Sequence, residues 1–388
     1  MRILMTSKPI LEHILVLYNI GQTLAKQGVE IFVLNVPGFK DIPIMEHWNF
    51  IESKCKEMSF EDNASFQSLA HEIKNEFQQE EQHLIEMLSV IEHHHIDVVL
   101  LDSSLSGASY ACEIKQIPWF SVEPASFTLE AKQENEPEEN ETIILFMQRY
   151  LNQLRKKYQL TPLPRSYRSN ISYVGVSPYL HMIPANNINQ VNTPSHFFFI
   201  GPQLYKNSKQ YFKKTKFHHH VLIETLTYDN PQFLIQTVHF IEECIRSLHD
   251  KENLIIRCTS SMMQKIKVKQ KNVLFVDCKK HQVMPYLNCK LVLNQGSYGS
   301  FFNSIKNKIP QISVPQGWDS RYFTNFVDRD GLGEIVEPSE CSQIKILEQY
   351  NKIMSNFSSY RDNIKHFNDK CKKIDPTFKI MNIFRSIK

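Results

Sequence analysis

Two residues far apart in the chain carry the plainest chemistry. His13 follows a short apolar run, within "SKPILEHILVLYNIG", and Asp102 closes "IDVVLLD" at 96–102. An imidazole beside a carboxylate makes a general base: the carboxylate accepts one ring N–H, fixes the tautomer and offsets the charge that grows as the other nitrogen takes a proton. A helix amino end disfavours imidazolium and a neighbouring carboxylate favours it, so the pair would be poised to act near neutral pH. A third feature is "NQGSYGS" at 294–300, a turn of small residues leading into a helix, whose backbone N–H groups can meet an anion. By itself such a turn is as often a plain connection.

The elements that must position these residues are short and regular. "RILMT" and "VEIFVLNV" are β-branched apolar runs of strand length, and the helix between them carries Ile14, Leu17, Tyr18, Gly21 and Leu24 on one face. That βαβ unit predicts a parallel sheet covered on both sides. A weaker strand near "NFIESK", a long helix from about Asn63 to His93, the strand "IDVVLLD", the helix "SGASYACEIK" and the strand "PWFSVE" complete a doubly wound domain of five strands. With the strand order 3-2-1-4-5, strands 1 and 4 are neighbours where the order reverses, and ligands bind beyond the carboxyl ends there. Topology alone is then expected to bring His13 to Asp102.

The acidic stretch "EAKQENEPEENET" at 130–142 reads as a mobile surface loop, and the lysine-rich "YKNSKQYFKKTKF" as a linker. Beyond it strands and helices alternate again: "HVLIETL", a helix over "PQFLIQTVHFIEECIRSL", "NLIIRC", "NVLFVD", "CKLVLNQ", a helix over "SFFNSIKN", and "PQISVPQ". Two α/β domains in tandem imply a cleft between them.

Composition sets outer bounds. The 388 residues suit two domains, and 42% apolar with 22% charged residues suits a soluble globular chain. A formal net charge of +3, with both signs mixed, argues against nucleic acid as the main partner. Eight cysteines without a C-x-x-C pair read as reduced thiols of a cytoplasmic protein, forming neither a disulfide frame nor a zinc site. No signal-peptide pattern is read at the start, and no apolar run approaches the roughly 20 residues that cross a bilayer. The triplets His93 to His95 and His218 to His220 are not read as metal sites, since adjacent side chains diverge and no partner ligands lie at useful spacing. "RKKYQ" at 155–159 and the linker lysines read as solvated faces, with the lesser alternative of a basic strip that attracts nucleotide phosphates or anionic lipid headgroups.

Two stretches resemble the two-domain GT-B nucleotide-sugar glycosyltransferases, especially the inverting UDP-glycosyltransferase and macrolide-glycosyltransferase group. That family's "P-G-H-G-H-x-x-P-x-x-x-L-A" falls without gaps on "PILEHILVLYNIG", placing its catalytic base on His13, and its partner carboxylate lands on Asp102. Here Ile10, Leu11 and Glu12 replace Gly-His-Gly, and Val16 the later proline. The segment "H-G-G-x-G-T-x-x-E-A-L-x-x-G-V-P-x-x-x-x-P-x-x-x-D-Q" aligns with "QGSYGSFFNSIKNKIPQISVPQGWDS" at 295–320, matching Gly296, Gly299, Ser300, Pro310, Pro315 and Asp319.

The resemblance implies two Rossmann-like domains facing across a cleft, and an inverting, metal-independent transferase without a cofactor. Its co-substrate would be a UDP- or dTDP-linked sugar, and its acceptor a hydroxyl of a small, largely apolar molecule. Gln295, Gly296, Ser297, Gly299 and Ser300 would hold the diphosphate, Asn303 the ribose, and Asp319 with Ser320 the sugar hydroxyls; Thr227 and His281 would also face the donor. Phe127, Leu145, Phe146 and Tyr150 could line the acceptor pocket, or belong to the core. Gln295, Ser297, Asn303 and Ser320 depart from the family's His, Gly, Glu and Gln, which implies weaker binding or a different donor. The expected division is an acceptor-binding domain at 1–205, a linker at 206–217, a donor-binding domain at 218–370 and a C-terminal helix at 371–388 that could return to the first domain. The rival readings are a noncatalytic GT-B protein that binds a nucleotide or a partner, and a lipid-acceptor transferase making peripheral contact with a membrane surface. Oligomeric state is not legible.

Overall fold

The structure is a computed structural model that describes residues 1–40, 48–55, 66–123, 138–163, 179–181, 197–202, 217, 219–225, 231–268, 270–278, 286–316, 318–373 and 376–385, some of them, including Asp319 and residues 138–147, by backbone alone. Its contacts divide the chain into two units, Met1–Tyr205 with Asp375–Lys388, and Lys206–Ile374. The change of unit near the end falls after 371 because a helix, Phe357–Lys372, keeps Phe367 and Cys371 buried in the second unit.

The first unit is a parallel sheet of seven strands in the order β3-β2-β1-β4-β5-β6-β7. The strands are β1 (Arg2–Thr6), β2 (Glu30–Asn35), β3 (Asn49–Glu52), β4 (Val98–Asp102), β5 (Trp119–Glu123), β6 (Tyr179–His181) and β7 (Phe197–Phe199). The first five have the expected order, and β6 and β7 extend the edge. Three residues each, they are too short for a sequence pattern to mark.

The helices α1 (Leu11–Ala25), α2 (Phe66–His93), α3 (Ser106–Lys115) and α4 (Glu138–Lys157) follow β1, β3, β4 and β5. Ile14, Leu17, Tyr18 and Leu24 of α1 are buried as the period requires, but so are Val16 and Ile20. Besides β1, β2 and β4, α1 also packs on the helix Pro376–Arg385, which buries Ile380, Ile383 and Phe384 in this unit. Phe384 stacks on Phe120 of β5 with ring centroids 4.3 Å apart. The acidic stretch is not loop throughout: α4 begins at Glu138, and carboxylates in a first turn suit the positive end of a helix.

One reading of a solvated face is corrected. Arg155, near the end of α4, is buried, gripping both oxygens of Glu113 at 2.8 and 2.9 Å and donating to the Thr161 carbonyl. Its guanidinium lies 4.7 Å from the centre of the Tyr110 ring. Planarity and five fixed donors let arginine be buried this way, which a lysine-rich context hides.

The second unit is a six-stranded parallel sheet in the order β10-β9-β8-β11-β12-β13. Its strands are β8 (His220–Glu224), β9 (Leu254–Cys258), β10 (Val273–Asp277), β11 (Cys289–Asn294), β12 (Gln311–Ser313) and β13 (Gly333–Ile335). Its helices are α5 (Pro231–Leu248), α6 (Ser260–Lys265), α7 (Tyr298–Asn307), α8 (Trp318–Arg329), α9 (Gln343–Ser355) and α10 (Phe357–Lys372); Pro376–Arg385 in the first unit is α11. Val221, Ile223, Leu291 and Leu293 form one core with Phe240, Ile241 and Ile245 of α5 and Ile346 and Ile353 of α9. All eight cysteines are free. Among the described residues no helix is long and apolar enough to cross a membrane.

Candidate functional site

The register of β1 against β4 pairs Thr6 with Leu101, so Asp102 is level with the first residue after β1. The chain then folds back through Pro9, the Ile10 N–H donating to the Lys8 carbonyl at 2.7 Å, and enters α1 with Ile10 in an extended conformation at its cap. His13 is therefore in the first turn of α1, directly above the end of β4. Its Nδ1 lies 2.6 Å from Asp102 Oδ2, with the His13 side chain 26% exposed and that of Asp102 3% exposed.

Asp102 is held on every side. Oδ1 accepts the Ser104 N–H at 3.0 Å and its hydroxyl at 2.8 Å, and Oδ2 also accepts the Lys8 N–H at 3.4 Å. Burial by itself pushes this carboxyl up, but the charge and hydrogen bond of His13 and the two donors of Ser104 outweigh it and hold it at about 2. A carboxylate so held is ionised at neutral pH. With Nδ1–H donated to it, the neutral imidazole carries its lone pair on Nε2, which is the form of a general base. Sequence reasoning missed Lys8 and Ser104; the signal for Ser104 was its position two after an aspartate, where a carboxylate commonly accepts from the backbone.

The 294–300 turn has a different character. Asn294, at the end of β11, accepts from the Gly296 N–H at 2.8 Å and the Ser313 hydroxyl at 3.0 Å, and donates to Gln311 at 2.9 Å. Gly296 has φ +78°, and a Cβ there would lie 2.7 Å from the Ser320 carbonyl oxygen, so glycine is required by the approach of α8. Ser297 caps α7, its hydroxyl accepting from the Ser300 N–H at 3.2 Å and lying 2.9 Å from the Ser300 hydroxyl. The Gln295 amide donates to Thr237, which donates to Gln316, both at 3.0 Å.

Gln295, Ser297, Ser300 and Ser320 are buried, and Ser320 donates to the Gln316 carbonyl. Asn303 turns its amide back to the Gly299 carbonyl at 2.7 Å. The side chains assigned by resemblance to a diphosphate and ribose thus make protein hydrogen bonds; what the turn offers an anion is the amino end of α7 itself. Asp319 lies in the first turn of α8, described by backbone alone. Thr227 and His281 lie outside the described residues, as does Phe127, and the side chains of Leu145 and Phe146 are likewise not described. Tyr150 stacks on Phe77, ring centroids 4.9 Å apart, and so packs within the first unit.

A surface depression of about 570 Å³ touching Arg2, Glu30, Asn49 and His94 is at the amino ends of β1 to β3, the edge of the sheet opposite His13. The described members of the histidine triplets, His93, His94, His95, His219 and His220, take no part in a cluster that could hold a metal ion among the described residues.

No family model matches the sequence, and no curated protein does. Solved structures match over the whole chain. The glycosyltransferase of kitacinnamycin has a TM-score of 0.76 at 14% identity, covering 100% of this chain and 99% of that one. CalG4, the calicheamicin glycosyltransferase, has 0.71 at 14% identity, covering 100% and 98%. The spinosyn rhamnosyltransferase SpnG complexed with thymidine diphosphate has 0.68 at 13% identity, covering 99% and 100%. At this identity the likeness establishes the fold: the chain has the GT-B architecture of two doubly wound parallel-sheet domains.

Proposed function

We propose that this chain is an inverting glycosyltransferase that moves a sugar from a nucleoside-diphosphate sugar to a hydroxyl of a small, largely apolar acceptor. The observation that carries the reading is the 2.6 Å contact between His13 and a buried, ionised Asp102. In the reaction, the acceptor O–H gives its proton to Nε2 of His13 as the oxygen attacks the anomeric carbon. The bond from that carbon to the diphosphate oxygen breaks, and its electron pair leaves with the diphosphate. Asp102 offsets the charge of the imidazolium, and the amino end of α7 meets the leaving anion without a metal.

Two of the structural neighbours hold thymidine diphosphate, which makes that nucleotide the first probe. A ligand at a hundred times its dissociation constant stabilises a protein by about 2.7 kcal/mol, a shift that thermal unfolding detects. The test is thermal unfolding with UDP, dTDP and their sugars, followed by hydrolysis of whichever sugar nucleotide binds. Stabilisation together with turnover that disappears in His13→Ala supports the proposal, and no response to any nucleotide refutes its donor site.

A second reading is favoured by one observation: the polar side chains of the 295–300 turn are buried and bonded within the protein, Ser297 to Ser300 and Gln295 to Thr237. A noncatalytic GT-B protein that binds a nucleotide or a partner would have no need to present them. Nucleotide binding without turnover in the wild type selects this reading, whereas His13-dependent hydrolysis eliminates it.

A further inference from the structure

We propose that Cys55, His83 and Glu86 bind a zinc ion in the first unit, a site independent of the transfer reaction proposed above. Cys55 stands three residues after β3, and His83 and Glu86 occupy one face of α2 at i and i+3. One ligand atom from each, a thiol sulfur, an imidazole nitrogen and a carboxylate oxygen, lies within 4.8 Å of the other two. Cys55 Sγ is 3.8 Å from His83 Nδ1. Bonds of about 2.3 Å to sulfur and about 2.0 Å to nitrogen at a tetrahedral angle put those atoms about 3.5 Å apart, so the Cys55–His83 pair needs to close by only a few tenths of an ångström, with Glu86 swinging in to complete the set.

Each ligand residue is also held in place by a neighbour. His83 Nε2 is 2.9 Å from Thr6 Oγ1, which can accept Nε2–H and leave Nδ1 to the metal. Glu86 accepts the Ser53 hydroxyl at 2.6 Å, the Lys54 N–H at 2.9 Å and the Gln82 amide at 2.9 Å. The Cys55 N–H donates to the same Ser53 oxygen at 3.0 Å. His83 is buried, while Cys55 and Glu86 are half-buried, giving a shielded site with a way in. Thiolate, imidazole and carboxylate together suit zinc, not the oxygen-seeking magnesium or calcium.

On binding, the Cys55 thiol loses its proton to solvent, and no electron is transferred. Three protein atoms and one water complete the tetrahedron. The ion would tie the end of β3 to α2 and, through His83 and Thr6, to the end of β1. Thr6 precedes by two residues the Lys8 N–H that reaches Asp102, so the site would brace the loop that carries the base without touching the reaction.

The test uses the full chain, stripped with a chelator and titrated with Co²⁺ and then Zn²⁺. The expected result is a thiolate-to-cobalt charge-transfer band, abolished by stoichiometric zinc, and a zinc-dependent rise in Tm. Cys55→Ser should lose the band, Glu86→Gln should weaken binding by at least about tenfold with the band retained, and His94→Gln should change neither. Cys55→Ser is nearly isosteric, and the metal-free Tm shows whether it folds; Glu86→Gln provides the test if it does not. Absence of a band in the wild type, a band that survives Cys55→Ser, or unaltered affinity in Glu86→Gln overturns the proposal.

Discussion

His13 Nδ1 lies 2.6 Å from Asp102 Oδ2, joining residues 89 apart in sequence. The contact exists because β1 and β4 are paired neighbours, so the chain leaving one must pass over the end of the other. If Nε2 is the base, replacing the imidazole removes the proton acceptor and leaves the sheet intact. His13→Ala is expected to lower transfer or sugar-nucleotide hydrolysis by about 10²- to 10⁴-fold. Asp102→Asn should do the same, since an amide neither fixes the tautomer nor offsets the imidazolium charge. Nucleotide binding should be unchanged in both. Steady-state turnover beside calorimetric nucleotide titration checks this, and a His13→Ala variant with wild-type turnover excludes the assignment.

Asp102 also makes acid stability a measurable property of the site. Its carboxyl is held at about 2 in the folded protein against an ordinary 3.8, so between those values the unfolded chain binds more protons there. Stability from this group is therefore fully present above about pH 4 and lost as pH falls toward about 2. The shift corresponds to about 2 kcal/mol. Urea unfolding across this range should give a shallower pH slope in Asp102→Asn. In His13→Ala the carboxyl loses its cationic neighbour and burial pushes it up, so the slope should flatten or reverse.

The legible parts of the molecule were those set by neighbours in sequence. Continuous apolar runs such as "IFVLN" and "VVLLD" declare buried parallel strands, and strand order then fixes which strand ends meet, which is why the sequence by itself pairs His13 with Asp102. Partners from distant elements were not legible. Thr237, Gln316 and Ser320, which close the 295–300 turn, come from α5, the connection after β12 and α8, and nothing in "QGSYGS" announces them. The same holds for Cys55 and His83, 28 residues apart, and for Arg155 inside a run that looks solvated.

Gly296 separates a packing requirement from a ligand requirement. Its φ of +78° and the 2.7 Å approach of the Ser320 carbonyl to a built Cβ both bar a side chain, and the neighbour is backbone that cannot yield cheaply. Gly296→Ala is expected to cost about 1–3 kcal/mol of stability, measured by urea unfolding without any nucleotide. A fully stable Gly296→Ala would mean that α8 does not approach the turn so closely.

The second unit buries a charge pair whose energetics can be tested by removing one partner or all. Arg257 Nη1 is 2.5 Å from Glu224 Oε1, both side chains are 1% exposed, and the Tyr286 hydroxyl donates to the same carboxylate. Arg257 Nε and Nη2 are buried without hydrogen-bond partners among the described residues, so the array is incompletely satisfied there. Two charges withdrawn from water cost more than a pair of this kind returns unless every donor is met, and a lone survivor costs more still. Glu224→Gln is therefore expected to destabilise by about 3–5 kcal/mol, because it leaves the guanidinium charge buried and uncompensated. Replacing the array with apolar groups, Glu224→Leu, Arg257→Met and Tyr286→Phe together, should restore most of that loss. Chemical unfolding of the two variants side by side decides it: if the triple variant is as unstable as Glu224→Gln, the pair is a net stabiliser of this sheet and the incomplete hydrogen bonding does not matter.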